Sequence, residues 1–331
     1  MKELKKISLS HGSGGVESNR LIKDIFIKHF CNELEDSALL DMNSAGKIAF
    51  TTDSFVVKPL FFRGGDIGRL AICGTVNDLC AVGAIPQYLS CGFIISEGTD
   101  IEILEKIAIS MRDTAEEANV KIVCGDTKVI SGDKNEIFIN TSGIGRVIIP
   151  NVSIKNAKQG DKIILTGNLG DHQACIMSAR TAIENDIDSD VSPLNEFVNL
   201  LYKEDKLQNS IHSMRDVTRG GLVTVLTELC EMSGVGVNLY EENLPVSDEV
   251  RGLCGILGLD PLYMGNEGKM FISVSEESAE LALSVIRNAK YGKNACIIGE
   301  VNDTKALTLT TSLGVKRMLQ PLYGEGLPRI C

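Results

Sequence analysis

Long hydrophobic runs are missing from this sequence. No stretch comes near the roughly 18 consecutive apolar residues that a membrane-spanning helix needs, and residues 1–6 lack the apolar core of a secretory signal. From these two absences we expect a cytoplasmic protein that is neither embedded in a membrane nor exported.

Positive charge is also in the minority. Lysine and arginine number 33 against 44 aspartates and glutamates, which gives a formal net charge of −11. Such a field repels a phosphate backbone, which argues against nucleic acid as a partner. Of the 331 residues, 44% are hydrophobic and 23% are charged, the balance of a globular protein long enough for two domains.

Several patterns that would define a site are absent as well. The ten cysteines include no C-x-x-C pair, which removes the strongest sequence indication of a zinc site or a redox-active dithiol. The four histidines are too dispersed to predict a metal cluster or a Ser-His-Asp triad. The glycine-rich segment near the start matches neither a Walker loop nor a dinucleotide-binding loop.

Hydrophobic periodicity predicts two consecutive series of helices and strands. The first reads β-α-β-α-β-β after an initial helix, an order that predicts an α+β sheet with its helices packed on one face. A break at residues 150–152 precedes a second, similarly mixed series, in which the polar stretch 184–192 predicts an exposed loop. The predicted helices span residues 16–34, 66–82, 101–118, 171–183, 194–203, 220–233, 247–257 and 276–289, and the predicted strands span residues 48–57, 88–96, 121–130, 137–149, 162–166, 235–240, 269–274, 295–301 and 306–311.

The glycine-rich segment leads directly into the first predicted helix. It consists of His11, Gly12, Ser13, Gly14 and Gly15. Glycines let backbone N–H groups approach a phosphate closely, and the helix start that follows favours negative charge. By itself the segment is more typical of a flexible loop in which Ser13 or another polar side chain caps the helix.

Five aspartates lie in short loops or at element ends beside small or hydroxyl residues. They are Asp53, Asp66, Asp78, Asp126 and Asp216. Mg²⁺ prefers carboxylate and phosphate oxygens, so aspartates brought together by the fold could hold such ions over a triphosphate. The alternative is that they cap helices and turns. For Asp66, which precedes a predicted helix, we predict the capping role.

The sequence ends on a cysteine, Cys331. Gly324 and Gly326 loosen the preceding backbone and Pro328 stiffens it, which predicts a thiol at the end of an arm. Prenylation needs a cysteine four residues from the end and is excluded. An inert, frayed terminus is the alternative, although an exposed thiol without a role would be an oxidation liability.

Together these segments resemble the HypE family of hydrogenase maturation proteins. The matching segments are residues 11–15, 53–57, 59–62, 64–68, 74–79, 125–129, 216–221 and 328–331. The last four residues, Pro-Arg-Ile-Cys, are the most specific. The wider superfamily of aminoimidazole ribonucleotide, formylglycinamidine and selenophosphate synthetases and thiamine phosphate kinases shares the aspartate and glycine motifs but not this ending.

The resemblance implies a fold and a domain organisation. The expected fold is the α+β, two-domain PurM-like synthetase fold, with N-terminal domains pairing into a β-barrel across a homodimer. Residues 1–42 would form the glycine-rich loop and first helix, and residues 43–150 the N-terminal ATP-binding and dimerisation domain. Residues 151–314 would form the C-terminal α+β domain, and residues 315–331 a flexible tail carrying Cys331.

The resemblance also implies an activity, that of an ATP-dependent carbamoyl dehydratase. In the family, the carbamoyltransferase HypF loads a carbamoyl group onto the terminal cysteine, here Cys331. ATP phosphorylates the carbamoyl oxygen, and loss of phosphate leaves a thiocyanate. Cyanide then passes to the iron of NiFe hydrogenase on a HypC–HypD scaffold.

The roles of individual residues follow from the same resemblance. Besides Cys331, Glu267 is the candidate base that removes the nitrogen-bound proton, and Lys128 would neutralise charge on the oxygen. A turn glutamate and a surface lysine are the alternatives for these two. Asn77 and Thr127 would contact the nucleotide, and the loop of Gly12, Ser13, Gly14 and Gly15 would close over it. The four aspartates that would hold Mg²⁺ against the phosphates of ATP are Asp53, Asp78, Asp126 and Asp216.

Two other functions stay open at this stage. Another PurM-like synthetase, of the selenophosphate or aminoimidazole ribonucleotide type, would act on a free small molecule and leave the terminal cysteine unused. Residues 8–20 contain no cysteine, which argues against the selenium enzyme. A non-catalytic scaffold that only presents Cys331 is the other alternative, and it leaves the acidic and glycine motifs unexplained.

Overall fold

The computed structural model describes residues 16–21, 23, 38–41, 46–133, 135–181, 183–323, 327 and 330. Within these residues the chain forms two α+β domains, each built on one large sheet. No helix in this part of the chain is long and apolar enough to cross a membrane.

Helix α1 (Val16–Leu21) precedes the first domain, which contains the following elements: β1 (Ala38–Asp41), β2 (Lys47–Phe55), β3 (Phe61–Phe62), β4 (Gly65–Asp66), α2 (Ile67–Ala81), β5 (Ala84–Ser96), α3 (Ile101–Glu117), β6 (Lys121–Ile130) and β7 (Ile137–Val147). Five strands form its sheet in the order β1-β2-β7-β5-β6, and only β5 and β6 run parallel. Strands β3 and β4 form a separate two-stranded ribbon.

Helix α2 lies between this sheet and the second domain and is buried on almost every side. Asp66 begins the helix, because its carboxylate accepts hydrogen bonds from the main-chain nitrogens of Gly68 (2.7 Å) and Arg69 (3.2 Å). The predicted capping role is therefore confirmed. The helix is anchored to the sheet through Thr141 of β7, whose hydroxyl donates to the carbonyl of Ala71 (3.0 Å).

The two faces of the first sheet differ. Helices α2 and α3 pack on one face, as the element order predicts. On the opposite face, which no described element covers, Phe50, Tyr88, Ile94 and Ile144 are exposed. Every one of the ten positions of β6 is exposed as well. An apolar sheet face next to an exposed edge strand has the features of an interaction surface.

The second domain contains the following elements: β8 (Lys162–Leu165), α4 (Asp171–Thr181), α5 (Asn195–Lys203), β9 (Ile211–Asp216), α6 (Gly221–Ser233), β10 (Gly236–Tyr240), α7 (Asp248–Leu257), β11 (Met270–Val274), α8 (Ala279–Arg287), β12 (Cys296–Asn302), β13 (Leu307–Thr310) and β14 (Lys316–Met318). All seven of its strands join one sheet in the order β14-β13-β10-β12-β8-β11-β9. Only β10 and β13 are parallel.

The two domains share a hydrophobic core and a polar junction. Phe55 and Leu70 of the first domain belong to the same buried cluster as Phe197 of the second. At the surface, Glu117 of α3 accepts hydrogen bonds from Arg69 (2.7 Å) on its own domain. It also accepts them from Lys290 (2.6 Å) and the Tyr291 hydroxyl on the other.

The sequence predicted most of these elements but missed five strands. The predicted helices and longer strands are confirmed to within a few residues, and the part of the first helix beyond residue 23 lies outside the described residues. The missed strands are β1, β3, β4, β9 and β14. Strand β9 carries His, Ser, Arg and Asp in six residues, so it lacks the apolar pattern from which strands are predicted.

Candidate active site

Three acidic side chains from distant parts of the chain meet where the domains join. Asp53 lies on β2, Asp216 ends β9, and Glu267 lies in the loop before β11. Pairing of β9 with β11 brings Asp216 opposite Met270, which fixes the loop beside it. We call these three residues the acidic cluster.

The acidic cluster is electrostatically strained. Burial raises the pKa of Asp216 to about 6; the Arg215 guanidinium lowers it and the Asp53 carboxylate raises it. Burial also raises the pKa of Asp53, and the positive charge of Arg219 partly offsets this rise. Each carboxylate therefore disfavours ionisation of its neighbour, as expected for acids that share a site of low dielectric.

Glu267 is the most deeply buried acid of the cluster, with 4% of its surface exposed. Burial raises its pKa well above the usual value, and the carboxylates of Asp216, Asp53 and Asp190 raise it further. Its Oε1 atom has no hydrogen-bond partner among the described residues. One oxygen of this buried carboxyl group is thus left to exchange a proton with a bound molecule.

The backbone of Glu267 is held by Asn77 and Asp190. Its nitrogen donates to Oδ1 of Asp190 (3.0 Å), and its carbonyl accepts from Nδ2 of Asn77 (3.2 Å). The Asn77 amide also donates to the carbonyl of Ser192 (3.1 Å) and accepts from the nitrogen of Leu194 (2.8 Å). In this structure, Asn77 joins α2 to the loops of the second domain.

Sequence reasoning missed the pair formed by Asp190 and Lys269. Their side chains are buried with Nζ 3.4 Å from Oδ2, and Lys269 also donates to the carbonyl of Gly268 (3.1 Å). Asp190 lies in the stretch 184–192, which the sequence predicted to be exposed. That prediction is wrong in part, because Ile187, Val191 and Ser192 in the same stretch are buried. Contacts with both domains cover this loop, and its polar composition gave no sign of them.

Asp78 lies on α2 beside the acidic cluster. Its Oδ2 atom accepts a hydrogen bond from Thr51 (2.9 Å), which is on the same strand and the same face as Asp53. The pKa of the Cys80 thiol is raised by burial and then by both Asp78 and Asp216. Asp78 therefore contributes negative charge at the edge of the cluster.

Asp126, Thr127 and Lys128 lie elsewhere in the chain, on strand β6. Across the sheet Ser54 pairs with Asn140, Asn140 with Gly92, and Gly92 with Asp126, so β6 is three strand spacings from β2, or roughly 14 Å. Asp126 faces the open side of the sheet, whereas Asp53 faces α2.

Asp126 and Lys128 form an exposed ion pair with Nζ 2.5 Å from Oδ2. The hydrogen bond from Lys128 lowers the pKa of Asp126, and a bond from the Thr127 backbone lowers it further. Within one chain the fold does not bring Asp126, Thr127 and Lys128 to the acidic cluster.

The glycine loop and the terminal cysteine lie outside the described residues. These are Gly12, Ser13, Gly14, Gly15 and Cys331. Within the described part of the chain, no three His, Cys, Asp or Glu side chains are grouped so as to hold a metal ion by themselves.

Ile330, the residue before Cys331, is docked beside the acidic cluster with 2% of its surface exposed. Its carbonyl lies 3.3 Å from Nε2 of buried His172, whose Nδ1 is 2.7 Å from the hydroxyl of Ser189. Burial lowers the pKa of His172, which favours the neutral ring. A Cβ on Gly265 would lie 2.6 Å from the Ile330 side chain. We call these contacts of Ile330 with His172 and Gly265 the seat of Ile330; a side chain at position 265 would force the end of the isoleucine side chain to shift.

Comparison with known proteins identifies the family. The AIR synthase related protein family matches twice: its N-terminal domain over residues 34–147 and its C-terminal domain over residues 158–312. Carbamoyl dehydratase HypE of Escherichia coli strain K12 is 42% identical over 341 aligned residues, which cover 99% of this chain and 100% of that protein. The chain belongs to the HypE family of carbamoyl dehydratases.

Solved structures of the HypE family have the same fold. A HypE–HypF complex contains a chain 48% identical to this one, with a TM-score of 0.86 and coverage of 91% of this chain and 99% of that one. HypE in complex with ATP is 44% identical, with a TM-score of 0.83 and coverage of 98% and 100%. The two-domain PurM-like α+β fold expected from the sequence is confirmed.

Proposed function

We propose that this chain is an ATP-dependent carbamoyl dehydratase that supplies cyanide ligands for the iron of NiFe hydrogenase. Family membership supports the reaction, since the relatives are carbamoyl dehydratases and one family member has been solved with ATP. The observation that carries the proposal is the seat of Ile330, because it brings the residue bonded to Cys331 to the loop that bears Glu267.

The substrate is an S-carbamoyl group on Cys331. Its oxygen attacks the γ-phosphorus of ATP, ADP leaves, and one nitrogen-bound proton is lost. The C–O bond then breaks, phosphate departs with the second proton, and the product is S–C≡N. An amide oxygen is a poor leaving group and phosphate is a good one, which explains the requirement for ATP.

Glu267 accepts the proton that the carbamoyl nitrogen loses. Its raised pKa makes its carboxylate a stronger base than an exposed glutamate, and its unpartnered Oε1 is free to accept. Asp190 and Asn77 hold the backbone of Glu267 through its main-chain nitrogen and carbonyl. Neither of these hydrogen bonds uses an oxygen of the Glu267 carboxyl group. Lys269 compensates the charge of Asp190.

Asp53, Asp78 and Asp216 are the residues of this chain that would hold Mg²⁺ against the phosphates. Burial raises the pKa values of Asp53 and Asp216, the charge of Asp53 raises that of Asp216 as well, and a bound cation would favour the ionised form of both carboxyl groups. When bound, Mg²⁺ neutralises phosphate charge and polarises the phosphoryl group. The nucleotide would supply the remaining oxygens, which fits the absence of a three-residue metal group among the described residues.

A homodimer accounts for the remaining candidate residues. Two copies would close the open faces of their first-domain sheets into a barrel, burying Phe50, Tyr88 and Ile144 and the exposed strand β6. Asp126 and Lys128 are exposed on the edge strand β6, where the two copies would meet, and we infer that each copy offers them across the interface to the active site of the other. Lys128 would there offset charge on the carbamoyl oxygen.

Two partner proteins are needed, one to load the carbamoyl group onto Cys331 and one to receive the product. A carbamoyltransferase of the HypF type loads Cys331, which is supported by the solved complex of HypE with HypF. The thiocyanate is then delivered to iron on a HypC–HypD type scaffold. The reactive thiol must therefore reach both partners and return to the site beside Glu267.

Intact-protein mass spectrometry tests the function. The chain is incubated with its carbamoyltransferase and carbamoyl phosphate, repurified, and measured before and after addition of Mg-ATP. We expect a carbamoyl adduct on the Cys331 peptide that loses the mass of one water only after Mg-ATP is added. Cys331→Ala should form no adduct yet bind nucleotide normally.

Two outcomes would contradict the proposal. An adduct that forms on Cys331 but never loses water would reduce the chain to a scaffold. No adduct on Cys331, together with Mg-ATP turnover on a free substrate, would favour another PurM-like synthetase.

A further inference from the structure

Residues 148–161 connect β7 to β8, and we call them the linker between the domains. A pocket of about 630 Å³ lies where this linker meets β9. Its volume falls within the range of small-molecule sites. His212 lines it at the beginning of β9, whereas Asp216 ends the same strand four residues later, roughly 13 Å away. The pocket is therefore separate from the acidic cluster. Its polar lining residues are Asn151, Lys155, Asn156, Lys158, Asn209 and His212.

The imidazole of His212 is fixed by Asp161. Nδ1 lies 2.8 Å and 3.0 Å from the two carboxylate oxygens of Asp161, which is 3% exposed. The same carboxylate accepts hydrogen bonds from the hydroxyl of Ser273 (2.8 Å) and the main-chain nitrogen of Lys158 (2.9 Å). Because an ionised carboxylate only accepts, Nδ1 carries the ring proton and Nε2 is left as an acceptor.

A lysine stands next to this acceptor. Nζ of Lys158 is 3.1 Å from Nε2 of His212, and both residues line the pocket. An ammonium group has three N–H donors, of which this contact uses one. Lys155 lines the same pocket one turn earlier in the linker. Two cationic side chains and a buried imidazole thus converge on one cavity.

The pocket is basic in an acidic protein. The chain carries a formal net charge of −11, yet none of the described residues lining this pocket is acidic. The carboxylate of Asp161 is buried behind His212 and is hydrogen-bonded to Ser273, Lys158 and the imidazole. Its oxygens therefore bond to protein groups, and Lys155 and Lys158 supply N–H donors to the cavity.

We propose that this pocket binds a phosphate group, with Lys155, Lys158 and His212 as its ligands. An anion beside Lys158 would place negative charge next to Nε2 of His212 and favour a second ring proton, while Asp161 stabilises the resulting imidazolium. Binding is thus coupled to uptake of a proton. The occupied site joins the linker, through the two lysines, to β9.

Calorimetric titration of the full-length chain tests the site. Two probes are used, inorganic phosphate and ribose 5-phosphate, each in two buffers that differ in protonation enthalpy. We expect saturable binding of one anion per chain with proton uptake. Tighter binding of inorganic phosphate would identify the free anion as the ligand, and tighter binding of the sugar phosphate would identify a phosphorylated metabolite.

Matched variants separate this site from nonspecific attraction and from the acidic cluster. Lys158→Gln should weaken binding roughly fivefold or more, because a charge-assisted contact is lost. Lys106→Gln, the same change on an exposed position of α3, should leave affinity unchanged. His212→Gln should abolish the buffer dependence of the heat. Equal affinity in Lys158→Gln and the native chain, or no saturable binding of either probe, would overturn the proposal.

Discussion

The main-chain nitrogen of Glu267 donates a 3.0 Å hydrogen bond to Oδ1 of Asp190. This contact fixes the backbone of the proposed base while its side-chain Oε1 keeps no partner among the described residues. Asp190 also raises the pKa of Glu267 through its charge. One residue therefore both orients the base and strengthens it.

Replacing the base itself is the most direct test of the proposed chemistry. Glu267→Gln keeps the size of the side chain but cannot accept a proton, so dehydration of the S-carbamoyl group should slow by roughly 10²–10⁴-fold. Carbamoylation of Cys331 and the affinity for Mg-ATP should change little. Single-turnover loss of water, followed by mass spectrometry, measures the rate. A rate equal to that of the native chain would remove Glu267 from the mechanism.

Asp190→Asn should act on the base through its pKa. The asparagine can still accept from the Glu267 nitrogen, but one of the charges that raise the pKa of Glu267 is gone. The acid limb of the pH–rate profile should therefore move to lower pH, while the plateau rate of dehydration above that limb falls because the carboxylate is a weaker base. If the dehydration rate falls by the same factor at every pH, with no shift of the profile along the pH axis, Asp190 has only a structural role.

Asp216→Asn should stabilise the nucleotide-free protein. The pKa of Asp216 is about 6 in the folded protein against 3.8 for an ordinary aspartate, so the folded state holds this proton more tightly. The free energy of unfolding therefore falls as the pH rises between these two values. At pH 7 the variant should be more stable by roughly 1–3 kcal/mol.

The same variant should bind Mg-ATP more weakly, because a carboxylate that would face the metal is lost. Denaturant unfolding at pH 4 and pH 7 measures the first effect, and nucleotide titration measures the second. Asp113→Asn, an exposed change on α3, is the control for both. Unchanged affinity for Mg-ATP would return Asp216 to a purely structural role.

Gly265→Ala should disturb the seat of Ile330. The added methyl group would lie 2.6 Å from Cδ1 of Ile330 and 3.1 Å from the carbonyl oxygen of Thr218, so the isoleucine side chain would have to shift. Dehydration should fall roughly tenfold, since misplacement of reacting groups is costly, while Cys331 is still carbamoylated. Gly255→Ala in α7, where a methyl group meets nothing within 4 Å, is the matched control. Equal dehydration rates in the two variants would show that the seat does not position Cys331.

Glu117→Gln should weaken the junction between the domains. Burial acts to raise the pKa of Glu117, but hydrogen bonds from its three partners outweigh it and lower the pKa to about 2. This stabilisation is present above the ordinary pKa of 4.5 and is lost as the pH falls towards 2. At pH 7, we expect the variant to lose about 0.5–1 kcal/mol, given solvent screening. The difference from the native chain, measured by denaturant unfolding, should shrink below pH 4.5.

The sequence by itself determined the elements and most of the candidate residues. Regular apolar spacing predicted α2, α3 and the long strands, because one face of each is buried. The aspartate at position 66 was predictable as a cap from its place before a helix. Short polar segments with distinctive residues, such as 216–221, indicated the family before any fold was known, and the family supplied the function.

Only the tertiary structure decided which of these residues meet. Asp53 and Asp126 look equivalent in sequence, yet strand alternation turns them to opposite faces of one sheet. The partners of Glu267 were also hidden, because Asp190 lies 77 positions away in a loop whose polar composition indicates exposure. Contacts between residues so distant depend on how two domains pack, and that packing is a property of the whole core rather than of any local pattern.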